Sequence, residues 1–194
     1  DPTGADVIKS RTQAMAVERP KVMVGLRGLD TWSNGRERLK IKSAIELGLE
    51  MLFDDTMDNY LQLYNRGILD DSFSFSFEIE RGFHFATFAT ETDQVQTFID
   101  EMTKVLAKAE ELLVAERTQF EATKRASLGR LIFNLDSPEA IANRFEGALF
   151  DQATIYDEIA AMEAITFEDV LAATIAFIKP MRLTSMEIKP LGND

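Results

Sequence analysis

The chemistry open to this chain is limited first by its histidine and cysteine content. It has no cysteine, and its single histidine, His84, lies between two phenylalanines in a segment whose pattern predicts a β-strand. A catalytic zinc site takes about three protein ligands and a structural one about four, drawn mainly from His and Cys. We therefore expect no metal site in these residues, and we expect His84 to be a packed or edge residue of a strand.

Other catalytic arrangements have equally little support in the sequence. A Ser-His-Asp triad around His84 is conceivable, but the nucleophile elbow Gly-x-Ser-x-Gly does not occur in the chain. The acidic pairs Asp70-Asp71 and Glu110-Glu111 have no histidine near them in the sequence. The sequence thus contains no complete catalytic site of a familiar kind.

Length and charge exclude several further classes of protein. The chain has 194 residues, enough for a substantial core, and we expect a single domain over residues 1–194. No apolar run approaches the roughly 20 residues that span a bilayer, and the lack of cysteine is typical of a reducing cytosol. The formal net charge of -12 disfavours nucleic acid and anionic membranes. We expect a cytoplasmic domain with neither as a partner.

Apolar periodicity in the first part of the chain predicts two strands followed by two helices. The strands are expected at 7–17 and 21–26, separated by a turn at 18–20. The next apolar stripe has helical spacing and consists of Ile41, Ile45, Leu49 and Leu52. The residues Asp54-Asp55-Thr56 are expected to close this helix and to cap a second one, which should end at Gly67.

A β-hairpin is predicted next, because residues 72–79 alternate serine or glutamate with phenylalanine or isoleucine. Paired with 83–89, this strand should place its aromatic face against helices, with an aromatic ligand pocket as the alternative. The remaining elements are four helices and a closing strand. The helices are expected at about 92–112, at 118–135, from Asp136-Ser137-Pro138-Glu139, and from the capping box Thr166 to Asp169; the strand is expected at 182–188.

The order of these elements predicts the fold class. Strands, helices, a hairpin, more helices and a last strand favour an α+β two-layer sandwich, with a mostly antiparallel sheet and helices packed on one face.

Six short stretches, in one order between roughly residues 20 and 190, carry a family resemblance. They are ELGLEMLF, YLQLYNRGILDDSFSFSFE, ERGFHFATFATETD, ASLGRLIF, NLDSPEAIAN and ITFEDV. Together they resemble the C-terminal domain of the insulinase/pitrilysin-type (inverzincin) zinc peptidases. The resemblance implies a mitochondrial-processing-peptidase-like fold, in which two homologous halves close like a clamshell around a peptide.

In that family the N-terminal half holds zinc through the motif H-x-x-E-H and a distal glutamate. Two histidines one helical turn apart face the metal, and the glutamate between them reaches the zinc-bound water. This chain has no such motif. The resemblance therefore implies that it is the non-catalytic half, that the zinc belongs to the N-terminal half of a longer parent, and that the chain alone is inactive. The implied partners are a peptide substrate and that catalytic half.

The resemblance also indicates which residues of this half would touch substrate. Family members place an arginine near the end of the first helical region and a tyrosine at the start of the following strand. Here Tyr64 stands where arginine is expected and Asp71 where tyrosine is expected. Arg66 could substitute if the helix end is shifted. A plain salt bridge for Arg66 and a core or rim position for Tyr64 are the alternatives.

This altered pair resembles a bacterial branch in which two related proteins associate, one with the zinc motif and one with the Arg/Tyr pair. The runs DDSFSFSFE and SPEAIANRF resemble the zinc-bearing member. The function implied is a substrate-enclosing, non-catalytic domain of a zinc metalloendopeptidase acting on peptides. The alternative is a catalytically inactive structural or assembly subunit, or an interaction domain, of the same family. An unrelated α+β binding module is a third hypothesis.

Overall fold

A computed structural model describes residues 9–28, 35–80, 83–133, 153–179 and 181–191. Within these ranges the strands are β1 Ser10–Met15, β2 Lys21–Arg27, β3 Ser74–Glu80, β4 Phe83–Glu91 and β5 Leu183–Pro190. The helices are α1 Arg36–Phe53, α2 Asp58–Asn65, α3 Val95–Ala107, α4 Ala109–Ala115, α5 Phe120–Phe133, α6 Ile155–Ala164 and α7 Phe167–Ile178, with a 3-10 turn at Arg117–Gln119.

The strands form one five-stranded sheet in the order β1-β5-β2-β4-β3. The pair β1 and β5 is parallel, whereas β5 with β2, β2 with β4 and β4 with β3 are antiparallel. The sheet is therefore mostly antiparallel, and the predicted α+β class is confirmed.

One face of the sheet is buried under the helices, as the alternation in the strands requires. In β2 the side chains of Val22, Val24 and Leu26 are buried, whereas Lys21 and Met23 are exposed. The helices add the rest of the core, and the α1 residues Ile45, Leu49 and Leu52 predicted to face it are buried. The described helices lack the length and apolar character needed to cross a membrane.

The hairpin forms with the predicted inner face, which packs as core. Phe73 and Phe75 lie with ring centroids 6.2 and 6.0 Å from Phe53, which in turn lies 4.8 Å from Phe88. On β4, however, every second residue from Phe83 turns outward, so Phe83 and Phe85 stack on the other face. The predicted turn at 81–82 lies outside the described residues.

The link between α1 and α2 corrects one sequence prediction. Helix α2 begins at Asp58 with Met57 as its N-cap and has no capping side chain, so the predicted cap by 54–56 is wrong. Instead, Asp54 Oδ1 accepts hydrogen bonds from the backbone N (3.1 Å) and Oγ1 (2.6 Å) of Thr56. An aspartate side chain that accepts a hydrogen bond from the backbone two residues further on forms an Asx-turn, and this turn ends α1.

The predicted end of α2 at Gly67 is confirmed. Gly67 has φ 66°, which costs glycine little, and its N–H donates to Tyr64 O at 2.9 Å. The N–H of Ile68 donates to Leu63 O at 3.1 Å. These are the two hydrogen bonds of a Schellman motif, and they reverse the chain toward β3.

One helical prediction in the second half is wrong, one helix was missed, and one further prediction lies outside the described residues. The helix predicted over about 92–112 is two helices, since α3 ends at Ala107 and α4 begins at Ala109. Helix α6 was not predicted, although Thr154 and Asp157 form a capping box at its start. The helix start predicted at 136–139 lies outside the described residues.

The predicted capping box of α7 is confirmed and can be tested. Asp169 N donates to Thr166 Oγ1 (3.2 Å), and Thr166 N donates to Asp169 Oδ2 (3.0 Å). Replacing Thr166 with alanine leaves the first N–H without its partner and should lower the free energy of unfolding by about 1 kcal/mol. Denaturant unfolding measures this loss. As a control, Thr118→Ala at an exposed site should change the free energy of unfolding by less than about 0.5 kcal/mol. Equal effects from both variants would contradict the capping role.

Candidate functional site

The junction between α2 and β3, where the family resemblance places substrate contacts, is held firmly in place. Asp70 Oδ1 accepts from Ser72 N at 2.9 Å, and Asp70 Oδ2 accepts from Arg19 Nη1 at 2.8 Å. Burial alone would raise the pKa of Asp70, but the hydrogen bonds from Ser72 and Arg19 outweigh it and hold that pKa below its usual value. Asp70 is thus a structural carboxylate that ties the junction to the turn before β2.

Two further contacts fix the junction from the side of β4 and α3. Gln94 Nε2 donates to Gly67 O at 2.9 Å, at the end of α2. The backbone N of Glu91 donates to Ser72 Oγ at 2.8 Å. Because several elements hold the junction, side chains that project from it have defined positions.

Two of the three predicted site residues, Tyr64 and Asp71, meet at the rim of this junction. Tyr64 is 40% exposed and stacks on Tyr60 with ring centroids 5.9 Å apart. The Asp71 carboxylate, first through hydrogen bonding to the hydroxyl and then through its charge, raises the pKa of Tyr64 above its usual value. Tyr64 is therefore a rim aromatic and not a core one.

The third predicted residue, Arg66, is engaged elsewhere. Its guanidinium donates to both carboxylate oxygens of Glu101 on α3, at 3.2 and 3.3 Å. Lys104 Nζ donates to the same carboxylate at 2.9 Å. Hydrogen bonds from Arg66, and then from Lys104, lower the pKa of Glu101. The salt-bridge alternative for Arg66 is thus the arrangement in the structure.

Beside Tyr64 and Asp71 lies a cavity of about 410 Å³ that the sequence did not reveal. Its lining residues are Phe53, Asp54, Asp55, Tyr60, Asp71, Phe73, Ser74 and Phe75. Four of these residues are aromatic and three are carboxylates. The signal that could have found it is the pair of Asp-Asp doublets on either side of α2.

His84 is a packed core residue, as one of its two predicted alternatives proposed. It is 3% exposed, and its ring centroid lies 5.5 Å from that of Phe177 and 6.2 Å from that of Phe77. Its backbone O accepts a hydrogen bond from Gly28 N at 2.9 Å. Among the described residues, no group of three His, Cys, Asp or Glu side chains is placed to hold a metal ion.

The chain is 34% identical over 182 residues to the uncharacterized zinc protease YmfH of Bacillus subtilis (strain 168). The match covers 94% of this chain but 42% of the relative, so the chain spans less than half of the relative's length. No family model matches the sequence.

Solved structures place the fold in one structural class. A crystal structure of an M16-like peptidase from Alicyclobacillus acidocaldarius matches with a TM-score of 0.81 over 94% of this chain and 44% of that chain, at 18% identity. The inactive domain of an M16 peptidase from Pseudomonas fluorescens matches with a TM-score of 0.65 over 96% of this chain and 44% of that chain, at 13% identity. The fold is therefore that of an M16-like peptidase domain. Together with the zinc protease relative, this fold bears out the predicted resemblance to a C-terminal domain of the insulinase/pitrilysin-type peptidases.

Proposed function

We propose that this chain is the substrate-enclosing, non-catalytic C-terminal domain of a zinc metalloendopeptidase that acts on peptides. The observation that carries the proposal is the 34% identity to a zinc protease more than twice as long as the match. The remainder of such a protein has room for a second half that binds zinc. On this proposal residues 1–194 are one domain of a clamshell.

The described residues do not fit a zinc ion. The imidazole of His84 is packed between the rings of Phe77 and Phe177, and no other histidine or cysteine exists in the chain. We therefore assign the metal to the other half of the parent protein, where it would activate the attacking water. The contribution of this chain is then to hold and orient the peptide, and alone it should cleave nothing.

Within this proposal Tyr64 and Asp71 form the peptide-contacting pair, and Arg66 is the weaker member of the predicted site. The Asp71 carboxylate acts on the pKa of Tyr64 and lies at an exposed edge, where a peptide N–H or a cationic side chain could reach it. Arg66 already donates both arms of its fork to Glu101 and would have to leave that partner.

Variants of the full-length parent, assayed with any partner subunit present, test this role. Tyr64→Phe and Asp71→Asn should each lower peptide cleavage about three- to tenfold, mainly in kcat if the contact is stronger in the transition state. Arg66→Ala should have a smaller effect. Matched controls are Tyr156→Phe and Asp100→Asn, both at exposed sites on other helices. Cleavage like wild type in all three junction variants, with unchanged thermal unfolding, would remove the junction from the active site.

The altered Arg/Tyr positions favour the bacterial two-protein branch, and we propose that a homologous partner supplies that pair in a cytoplasmic complex. The competing function is an inactive structural or assembly subunit, which the solved inactive domain of the same fold makes a real alternative. The parent sequence decides between them. An upstream H-x-x-E-H and chelator-sensitive cleavage support the peptidase, and their absence supports the subunit.

A further inference from the structure

The junction between α2 and β3 contains a β-turn that carries Asp71, one of the two proposed peptide contacts. Phe73 N donates to Asp70 O at 2.9 Å, which is the i to i+3 hydrogen bond typical of such a turn. The two central residues of the turn are Asp71 and Ser72. The direction in which Asp71 points therefore depends on how residues 70 and 72 are held.

Both neighbours of Asp71 are anchored to other elements of the fold. Asp70 Oδ2 accepts from Arg19 Nη1, in the turn before β2, at 2.8 Å. Ser72 Oγ accepts from Glu91 N, at the end of β4, at 2.8 Å. Asp70 and Ser72 are also bonded to each other, since Asp70 Oδ1 accepts from Ser72 N at 2.9 Å. Asp71 thus lies between two held residues, and Arg19 supplies one of the two outside contacts that hold them.

The turn that carries Arg19 is itself held against the end of β4. Pro20 O accepts a hydrogen bond from Thr92 N at 3.1 Å, and Thr92 is buried. Beside it, Lys21 Nζ lies 2.6 Å from Glu91 Oε1. A residue can fix the position of another only if its own segment is fixed, and the turn before β2 meets this requirement.

The ion pair between Arg19 and Asp70 contributes little to the stability of the fold. The two side chains are 46% and 38% exposed. Ion pairs at this exposure add little to the free energy of unfolding, because water screens the charges and both side chains lose rotational freedom. The main consequence of the pair is therefore geometric, namely the position of the turn at 70–73.

We propose that Arg19 is a positioning residue, which holds the turn at 70–73 through Asp70 and so presents Asp71 to the peptide. The role of Arg19 in cleavage rests on the proposed function, whereas its effect on the position of Asp71 does not. Arg19 acts without touching the peptide, since its guanidinium is bound to Asp70. A residue before β2 thereby determines the geometry of a site that follows α2.

NMR titration of the 194-residue chain, labelled with ¹³C at the tyrosine Cζ, tests the positioning directly. The reporter is Tyr64, whose pKa is raised by the Asp71 carboxylate. If Arg19→Met releases Asp71, the pKa of Tyr64 should fall toward its usual value. Electrostatics alone predicts the opposite, because loss of a cation from the junction disfavours the tyrosinate and raises the pKa. Arg19→Lys keeps a cationic donor for Asp70 and should retain most of the raised pKa.

Cleavage by the full-length parent measures the consequence for the proposed function. Arg19→Met should lower cleavage of a fluorogenic peptide about threefold, in kcat more than in KM, and Arg19→Lys should recover most of the loss. The control Arg125→Met removes the same charge from an exposed site on α5 and should change neither cleavage nor the pKa of Tyr64. The melting temperatures of all three variants should stay within about 2 °C of wild type.

A Tyr64 pKa that is unchanged or higher in Arg19→Met overturns the proposal, and so does an equal effect of Arg125→Met. Wild-type cleavage in Arg19→Met, in a parent whose cleavage is lowered by Asp71→Asn, refutes the positioning role alone. Wild-type cleavage in both Tyr64→Phe and Asp71→Asn refutes the proposed peptide contact instead. The titration then still decides whether Arg19 holds Asp71, because no peptide takes part in it.

Discussion

Replacing Gly28 with alanine should lower the free energy of unfolding by about 3 kcal/mol, because the added methyl group has no room. A Cβ at Gly28 would overlap the imidazole of His84, whose Nε2, Cδ2 and Cε1 are its nearest neighbours. That ring cannot swing aside, since it is buried against Phe77 and Phe177. Urea unfolding monitored by circular dichroism measures the loss.

The chain offers a matched control in Gly129, on the exposed side of α5. A Cβ there meets nothing within 4 Å, so Gly129→Ala should stabilise the helix by about 0.5 to 1 kcal/mol. Combining Gly28→Ala with His84→Ala should cost less than the sum of the two single changes, since removing the imidazole makes space for the methyl group. Strict additivity, or a Gly28→Ala variant as stable as wild type, would mean that this contact is not tight.

The sheet could be predicted because its signals are local. The alternation of serine with phenylalanine in 72–79 shows which face of the strand is buried. This prediction uses only the residues of the strand itself and requires no information about the rest of the fold. Local signals also explain why the end of α2 at Gly67 and the start of α7 at Thr166 were predicted correctly. At each of these positions the residue type itself favours the turn or the cap. The break between α3 and α4 has no such signal, because Lys108 is neither glycine nor proline.

The candidate site could be predicted only in part, and for a physical reason. Their positions in the sequence made Tyr64 and Asp71 candidates, but the interaction between them depends on the Schellman turn at Gly67, which reverses the chain after α2. The cavity is lined by Asp54 and Asp55, which lie between α1 and α2, and by Asp71, which lies between α2 and β3. Only the tertiary fold brings these two segments together. Arg66 was open between two roles, since its partner Glu101 is 35 residues away.

Among the charged residues, we expect the largest loss of stability on replacing Lys42. This residue lies on α1 and forms an ion pair with α6. Its Nζ donates to Glu46 Oε1 at 2.7 Å and to Glu158 Oε1 at 3.3 Å, and the side chain of Glu158 is only 1% exposed. Lys42→Met removes the cation but leaves the buried carboxylate in place. Loss of one partner of a buried ion pair costs about 3 to 5 kcal/mol, and we expect a destabilisation of this size.

Two comparisons separate this buried pair from an ordinary surface charge. Lys104→Met breaks the exposed pair with Glu101, whose lysine is 66% exposed, and should cost no more than about 0.5 kcal/mol. Lys42→Met combined with Glu158→Leu should recover most of the lost stability, since a buried pair replaced by apolar side chains is often neutral. A double variant as unstable as the single one would show that the lysine acts through packing and not through charge.

The effect should also depend on pH in a defined direction. Burial lowers the pKa of Lys42, but the charges of Glu46 and Glu158 and their hydrogen bonds outweigh it, and the pKa is raised above its usual 10.5. A lysine whose pKa is raised in the folded state stabilises the fold to its full extent below its unfolded-state pKa of about 10.5. This stabilisation is lost as the pH rises through the folded-state pKa. The gap in unfolding free energy between wild type and Lys42→Met should therefore be constant from about pH 7 to 10 and narrow above about pH 11. A gap that narrows toward neutral pH would contradict the raised pKa, because Lys42 would then lose its proton more easily in the fold than in the unfolded chain.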